Sequence, residues 1–151
     1  MNYDANYNSH QLLHVKKMNQ KIIIPSMSPG GIHAQFEWRF GRCATFTIIE
    51  KDENGKILQV TVINNDATKA MGGAGIAAAQ SVGNQKPTDI IVGNLGPNAI
   101  GALKTIGANL YQVGNNQVNT VKDVLDLFEQ GKVEPVQSAN VKSHSGMRYV
   151  N

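Results

Sequence analysis

Residues 71–80, Met-Gly-Gly-Ala-Gly-Ile-Ala-Ala-Ala-Gln, set three glycines against the start of an alanine-rich stretch. Gly72, Gly73 and Gly75 let the backbone turn sharply and carry no Cβ to keep a ligand away. The alanines that follow favour a helix, whose first N–H groups and positive dipole end would then face that ligand. Such a cradle suits a phosphate, a carboxylate or an anionic metal–sulfur cluster. A glycine turn that only packs a helix closely against a sheet accounts for the same letters.

Around it stand other residues able to do chemistry. Arg39 and Arg42 flank Phe40-Gly41 and offer guanidinium forks to an anion or to a carboxylate such as Glu37. Cys43, the single cysteine, follows Arg42, where positive charge would favour a metal-binding thiolate; a buried apolar thiol is the plainer alternative. His33 could give an imidazole to a transition metal, or simply be solvated. Asn94 and Asn98 bracket Gly96-Pro97 and could orient a ligand or shape a turn. Ile22-Ile23-Ile24 carries no acid, so the clustered carboxylates of a two-metal nuclease are not expected. No Ser–His–Asp or Cys–His spacing suggests a hydrolase. Neither enzyme class is expected, and the chain is expected to bind rather than to catalyse.

These residues need a scaffold. The chain has 151 residues, enough for one domain with a real core. Strands are expected over 21–25, 44–50, 57–63, 89–92 and 109–113. Asn54-Gly55 supplies the positive φ of a hairpin turn. One helix runs from the glycine-rich segment to a stop at Gly83. A second opens with Gly96-Pro97 and ends by Gly107, and a third starts at a Thr120 cap and ends at Gly131. The order β-β-β-α-β-α-β-α predicts a mixed five-stranded sheet covered by helices, an α/β, three-layer, ribonuclease H-like fold. With strand one central, the carboxyl ends of four strands gather 26–35, 64–75, 93–98 and 113–119 on one rim, beside Arg39–Cys43. Ligands favour that edge in open α/β sheets.

Composition narrows the functions. Of 14 basic and 11 acidic residues, ten of each lie within 20–135, so that part is formally neutral and nucleic acid is not expected as a partner. Apolar runs are strand-sized, so no membrane span is expected. A lone thiol fits a reducing cytoplasm. Residues 1–19 and 136–151 lack an apolar period and are expected to be a flexible leader and a flexible tail.

Several motifs in sequence then agree. Lys21-Ile-Ile-Ile-Pro25, Phe40-Gly41-Arg42-Cys43, Gly72-Gly73-Ala74-Gly75-Ile76, Gly93-Asn94-Leu95-Gly96-Pro97-Asn98-Ala99 and Gly131-Lys132 span residues 20–134. In order and spacing the chain resembles the dinitrogenase iron–molybdenum cofactor biosynthesis family. That resemblance implies a small domain over 20–135, an accessory of nitrogen fixation that carries or helps assemble an iron–molybdenum–sulfur or iron–sulfur cluster. It also implies a protein that donates or accepts that cluster. Members often have His where this chain has Arg39, and Cys or His where it has Lys69, Ala70, Met71 and Ala74. The expected binding set is therefore Arg39, Arg42, Cys43, Gly72, Gly73, Gly75 and Asn94, with Cys43 and His33 as metal donors. A small-molecule, nucleotide or oxyanion-binding regulatory module would use the same rim. A partner-docking domain acting through its ends is the third class.

Overall fold

The structure, a computed structural model, describes residues 19–69 and 73–136. Along the chain run β1 (Gln20–Ser26), β2 (Thr45–Lys51), β3 (Ile57–Asn64), α1 (Ala74–Asn84), β4 (Asp89–Val92), α2 (Pro97–Lys104), β5 (Asn109–Gln112), α3 (Val121–Glu129) and β6 (Glu134–Pro135). Single 3-10 turns lie at Phe40–Arg42 and Asp66–Lys69. The strands form one sheet in the order β3-β2-β1-β4-β5-β6. β2 runs antiparallel to both β1 and β3, while β4 is parallel to β1 and to β5.

Alternation along the strands sends side chains to both faces, and both are buried. Ile23, Phe46, Ile48 and Ile90 pack with α1 and α2 through Ala78, Val82, Ile100 and Leu103. Ile22, Ile24, Ile49 and Ile91 pack on the other face with Val121, Val124 and Leu125 of α3. Helices therefore cover the sheet from two sides. No helix among the described residues is long and apolar enough to cross a membrane.

Four local expectations change. The sheet has six strands, because Glu134–Pro135 pairs antiparallel with β5 after α3 ends. Two residues that end in proline carry no alternation to read. Val136, placed in the tail, is buried in the core and donates its N–H to the Leu110 carbonyl at 3.0 Å. The rest of the expected leader and tail, 1–18 and 137–151, lies outside the described residues.

In the β2–β3 hairpin the positive φ falls on Gly55 alone, at 87°. The Asp52 carboxylate accepts N–H bonds from Asn54 and Lys56, both 2.9 Å, and so closes the turn. Gly83 does not end α1. It lies inside the helix, where a Cβ would sit 3.3 Å from Ile106, and the positive φ of 54° falls later, on Lys86.

Candidate functional site

The carboxyl ends of β3 and β4 and the turn leading into β2 meet as expected, and they enclose a cleft of about 300 Å³. Its walls come from Phe40, Gly41 and Arg42 of the turn, Gly73–Ile76 at the start of α1, and Asn94–Ala99 at the start of α2. Three separate glycine-containing segments thus share one surface.

Close backbone approach makes this possible. A Cβ on Gly41 would lie 3.0 Å from the Gly75 nitrogen and 3.1 Å from its Cα. Only a glycine lets the 3-10 turn lie that flat against the first turn of α1. A Cβ on Gly75 would in turn sit 3.0 Å from the Cβ of Ala99, so the two helix starts also touch. From the other side, Asn65 fixes the Phe40–Cys43 segment: its amide donates to the Cys43 carbonyl at 2.8 Å and its oxygen accepts from Ala67 N–H at 3.1 Å.

Helix capping separates the two helices of the cleft from the third. α1 begins at Gly73, with φ of 69°, and α2 at Gly96-Pro97; neither has a side-chain cap or an acid in its first turn. α3, away from the cleft, is closed by a capping box in which Thr120 and Asp123 exchange N–H bonds at 3.2 and 3.0 Å. Ser, Thr, Asp or Asn normally satisfies the first amides of a helix. Two helix starts without such a residue, converging on a hollow with no carboxylate in its wall, make an electropositive receptor. Arg42 adds a cation and enters no ion pair among the described residues.

The remaining expected residues fall in different places. Gly73, Gly75, Arg42 and Asn94 line the cleft. Gly72 lies outside the described residues. Arg39 does not line it; the side chain is 68% exposed and forks onto Glu37, with Nε–Oε2 of 3.1 Å and Nη2–Oε1 of 3.0 Å. The carboxylate partner foreseen for Arg42 thus belongs to Arg39. Arg39 still braces the rim, since its strand segment bridges Asn94 and the Trp38 carbonyl accepts the Asn94 N–H at 2.8 Å.

The side-chain and backbone bonds from Arg39 hold the Glu37 carboxyl below its ordinary 4.5. A lowered carboxyl stabilises the fold above its unfolded value and loses that contribution as pH falls through the folded value. The stability gap between the natural protein and Arg39→Ala is therefore expected to be largest near neutrality. It should narrow steadily below about pH 4.5; urea titrations at pH 7 and pH 3 measure it.

Cys43 is a correction. It is fully buried in the core under α1 rather than on the rim, and burial pushes its thiol up to about 12. Enclosed in the core and absent from the cleft wall, the thiol does not face a guest in the cleft. Under a thiol-reactive dye at pH 8 the folded protein should stay unlabelled, while in denaturant one equivalent reacts per chain. Rapid labelling of the native protein would contradict the burial.

His33 is a second correction. It is exposed in the loop after β1, which docks on the start of α3 through Val121 N–H to Ala34 O and Lys122 N–H to Ile32 O, both 2.9 Å. That loop turns to the α3 side of the sheet and contributes nothing to the cleft wall. Among the described residues no three His, Cys, Asp or Glu groups gather where they could hold a metal ion. The loop after β5 is nearby, in a polar hollow of Asn94, Gln112, Gly114, Asn115 and Glu134 that shares Asn94 with the cleft. Leu95 and Pro97 were missed as wall residues; their place beside Gly96 in an apolar-polar turn was the available signal.

Comparison with known proteins identifies relatives of the chain as a whole. The sequence model described as dinitrogenase iron–molybdenum cofactor matches residues 20–131. Protein MJ0580 of Methanocaldococcus jannaschii is 36% identical over 95 residues, covering 63% of this chain and 77% of its own. Among solved structures, the apo form of the orange protein from Desulfovibrio gigas is similar with a TM-score of 0.69 and 26% identity. That match covers 81% of this chain and 97% of the orange protein. TM1290 of Thermotoga, a NifB candidate of the DUF35 family solved by NMR, gives 0.62 and 27%, covering 81% and 99%.

Proposed function

Since the chain belongs to the dinitrogenase iron–molybdenum cofactor family, we propose that its cleft receives an anionic metal–sulfur cluster as cargo and carries it without catalysing a reaction. One observation carries the reading: two helices without side-chain caps open onto the same acid-free hollow beside Arg42. Sulfide-rich clusters bear negative charge, and their sulfurs accept hydrogen bonds from amides. Backbone N–H groups at Gly73–Ile76 and Asn98–Ala99, the Asn94 amide and the Arg42 guanidinium would hold such a guest from outside. Phe40, Leu95 and Ile76 would shield it from water. Of the expected binding set, Arg42, Gly73, Gly75 and Asn94 remain in this role, with Arg39 as the brace of the rim. The iron–molybdenum–sulfur composition, a donor or acceptor protein, a cytoplasmic setting and the ribonuclease H-like description of the fold belong to the same proposal. Family membership supports the first two, the lone thiol the third and the strand order the last.

Anaerobic reconstitution with iron, molybdate and sulfide tests it, with TM1290 treated in parallel. Metal and visible absorbance co-eluting with the protein on gel filtration are expected. A colourless, metal-free protein beside a loaded TM1290 would overturn the reading. Cys43→Ala should retain as much metal as the natural chain, because the thiol does not reach the cleft.

A second reading is favoured because no three His, Cys, Asp or Glu side chains gather among the described residues and the cleft wall carries none of them. The same amides would then take a phosphate or another oxyanion, in a regulatory module. Concentration-dependent thermal stabilisation by a nucleotide, without metal retention, would favour it.

A further inference from the structure

We infer that the β3 edge of the sheet is a docking surface for a second copy of this chain, paired antiparallel about a two-fold axis at Val60. β3 is the terminal strand of the sheet, and no described element pairs with its outer side. Natural edge strands are usually blunted by a charge, a proline or a short length. Ile57–Asn64 runs eight residues with no charge and no proline, and its one irregularity sits at its start, opposite Glu50/Lys51.

The strand also exposes apolar side chains. Ile57, Leu58, Val60 and Val62 are 37–55% exposed, and Met27, in the loop after β1 whose Gly30 lies against Val62, is 43% exposed. Val60 and Val62 stand opposite Ile49 and Thr47, on the α3 face of the sheet, beyond the part that α3 covers. With ordinary side-chain areas these five leave on the order of 350 Å² of apolar surface, within the range of the largest patch on a typical monomer, which is often functional.

Pattern and backbone select the occupant. Asn65 donates its N–H to the Ala44 carbonyl, so Ile63 and Thr61 also turn their amides toward β2. Val60, Val62 and Asn64 therefore turn theirs outward, free to pair. Read from Val60 in both directions, Ile57-Leu58-Gln59-Val60-Thr61-Val62-Ile63 is nearly a palindrome. In two-fold pairing Leu58 meets the partner's Val62 and Gln59 the partner's Thr61, while Ile57 lies past the irregularity and outside this register. Like therefore faces like on each side, as an isologous contact requires. No like charges are opposed along the strand, which carries none. A stable dimer buries about 800 Å² on each side, so this contact, with its backbone bonds added to the apolar strip, gives a dimer of micromolar rather than nanomolar strength. β3 strands of opposite sense place the two clefts at opposite ends of the joined sheet, so each stays open. The pairing is independent of what the cleft carries.

Sedimentation equilibrium of the full chain tests it up to about 100 µM, where a micromolar dimer is well populated. A monomer–dimer equilibrium is expected for the natural protein, and Val60→Lys should weaken it at least tenfold. Leu58→Lys, at the most exposed position, serves if Val60→Lys fails to fold; circular dichroism decides that. Under oxidation Val60→Cys should give a disulfide-linked dimer, since residue 60 faces itself across the axis, whereas Leu58→Cys should not. A natural chain that stays monomeric at 100 µM overturns the inference. So does association untouched by a folded lysine variant, an unlinked Val60→Cys, or a dimer that forms only after residues 1–18 or 137–151 are removed.

Discussion

Gly41→Val should lose cluster retention at least about tenfold while keeping its secondary structure. The added Cβ would lie 3.0–3.2 Å from the Gly75 nitrogen, the Gly75 Cα and the Ala74 carbonyl carbon, all backbone atoms that no rotamer change can move. Two further methyls force the Phe40–Arg42 turn away from the first turn of α1. The amides and Arg42 then no longer converge on one guest. Overpacking of this kind costs about 1–3 kcal/mol of stability as well. Metal retained per chain after anaerobic reconstitution measures the first effect, and a urea midpoint the second. Gly101→Ala is the matched control. A Cβ there meets nothing within 4 Å, and the position is inside α2. It should bind normally and gain up to about 1 kcal/mol from the lower entropy of its unfolded chain. Full cargo retention by Gly41→Val would show that the close approach is structural only.

The second large effect is on the core beneath the cleft. Phe46 has no exposed surface and stands with its ring centre 5.5 Å from that of Phe40, tilted by 49°. Truncating a buried phenylalanine removes its transfer energy and leaves a cavity, together about 3–5 kcal/mol. Phe46→Ala is therefore expected to lose this much in a urea titration, a large share of the stability of a domain this size. Phe40 forms part of the cleft wall, so its loosened ring should also lower cluster retention in a protein that is still folded at low temperature. In a double-mutant cycle with Phe40→Ala, coupling of about 0.5–1.5 kcal/mol is expected beyond area alone. A loss below about 1 kcal/mol for Phe46→Ala would mean that the neighbouring side chains collapse into the space.

Strand and helix order were open to reading because each element carries its own period. Ile22–Ile24 and Ile90–Val92 are buried on both faces of the sheet, and runs of that kind belong to central strands. Thr120 and Asp123 announced the start of α3 by type and spacing, and both bonds of the box are present. The gathering of 40–42, 73–76 and 94–99 followed from strand direction, which the hairpin and two crossovers dictate. β6 was not legible, since its two residues acquire strand geometry only by pairing with β5.

At the cleft the division is sharper. Local sequence determined where the backbone can be approached closely or turned left-handed: Gly41 and Gly75 lack a Cβ that would meet a neighbour, and Gly73 adopts a φ of 69°. Side-chain destination was decided by packing between elements distant in the chain. Cys43 and Arg42 are neighbours, yet one enters the core under α1 and the other faces the hollow, because the 3-10 turn ends at Arg42 and the backbone becomes extended at Cys43. Glu37 pairs with Arg39 rather than Arg42 because two residues along an extended chain return to the same side, whereas five carry the chain through the 3-10 turn. His33 left the rim because its loop found backbone partners on α3. Residue type and period are local properties that a chain carries before it folds. Which side chains share a site depends on contacts between distant segments, and those exist only once the sheet has assembled.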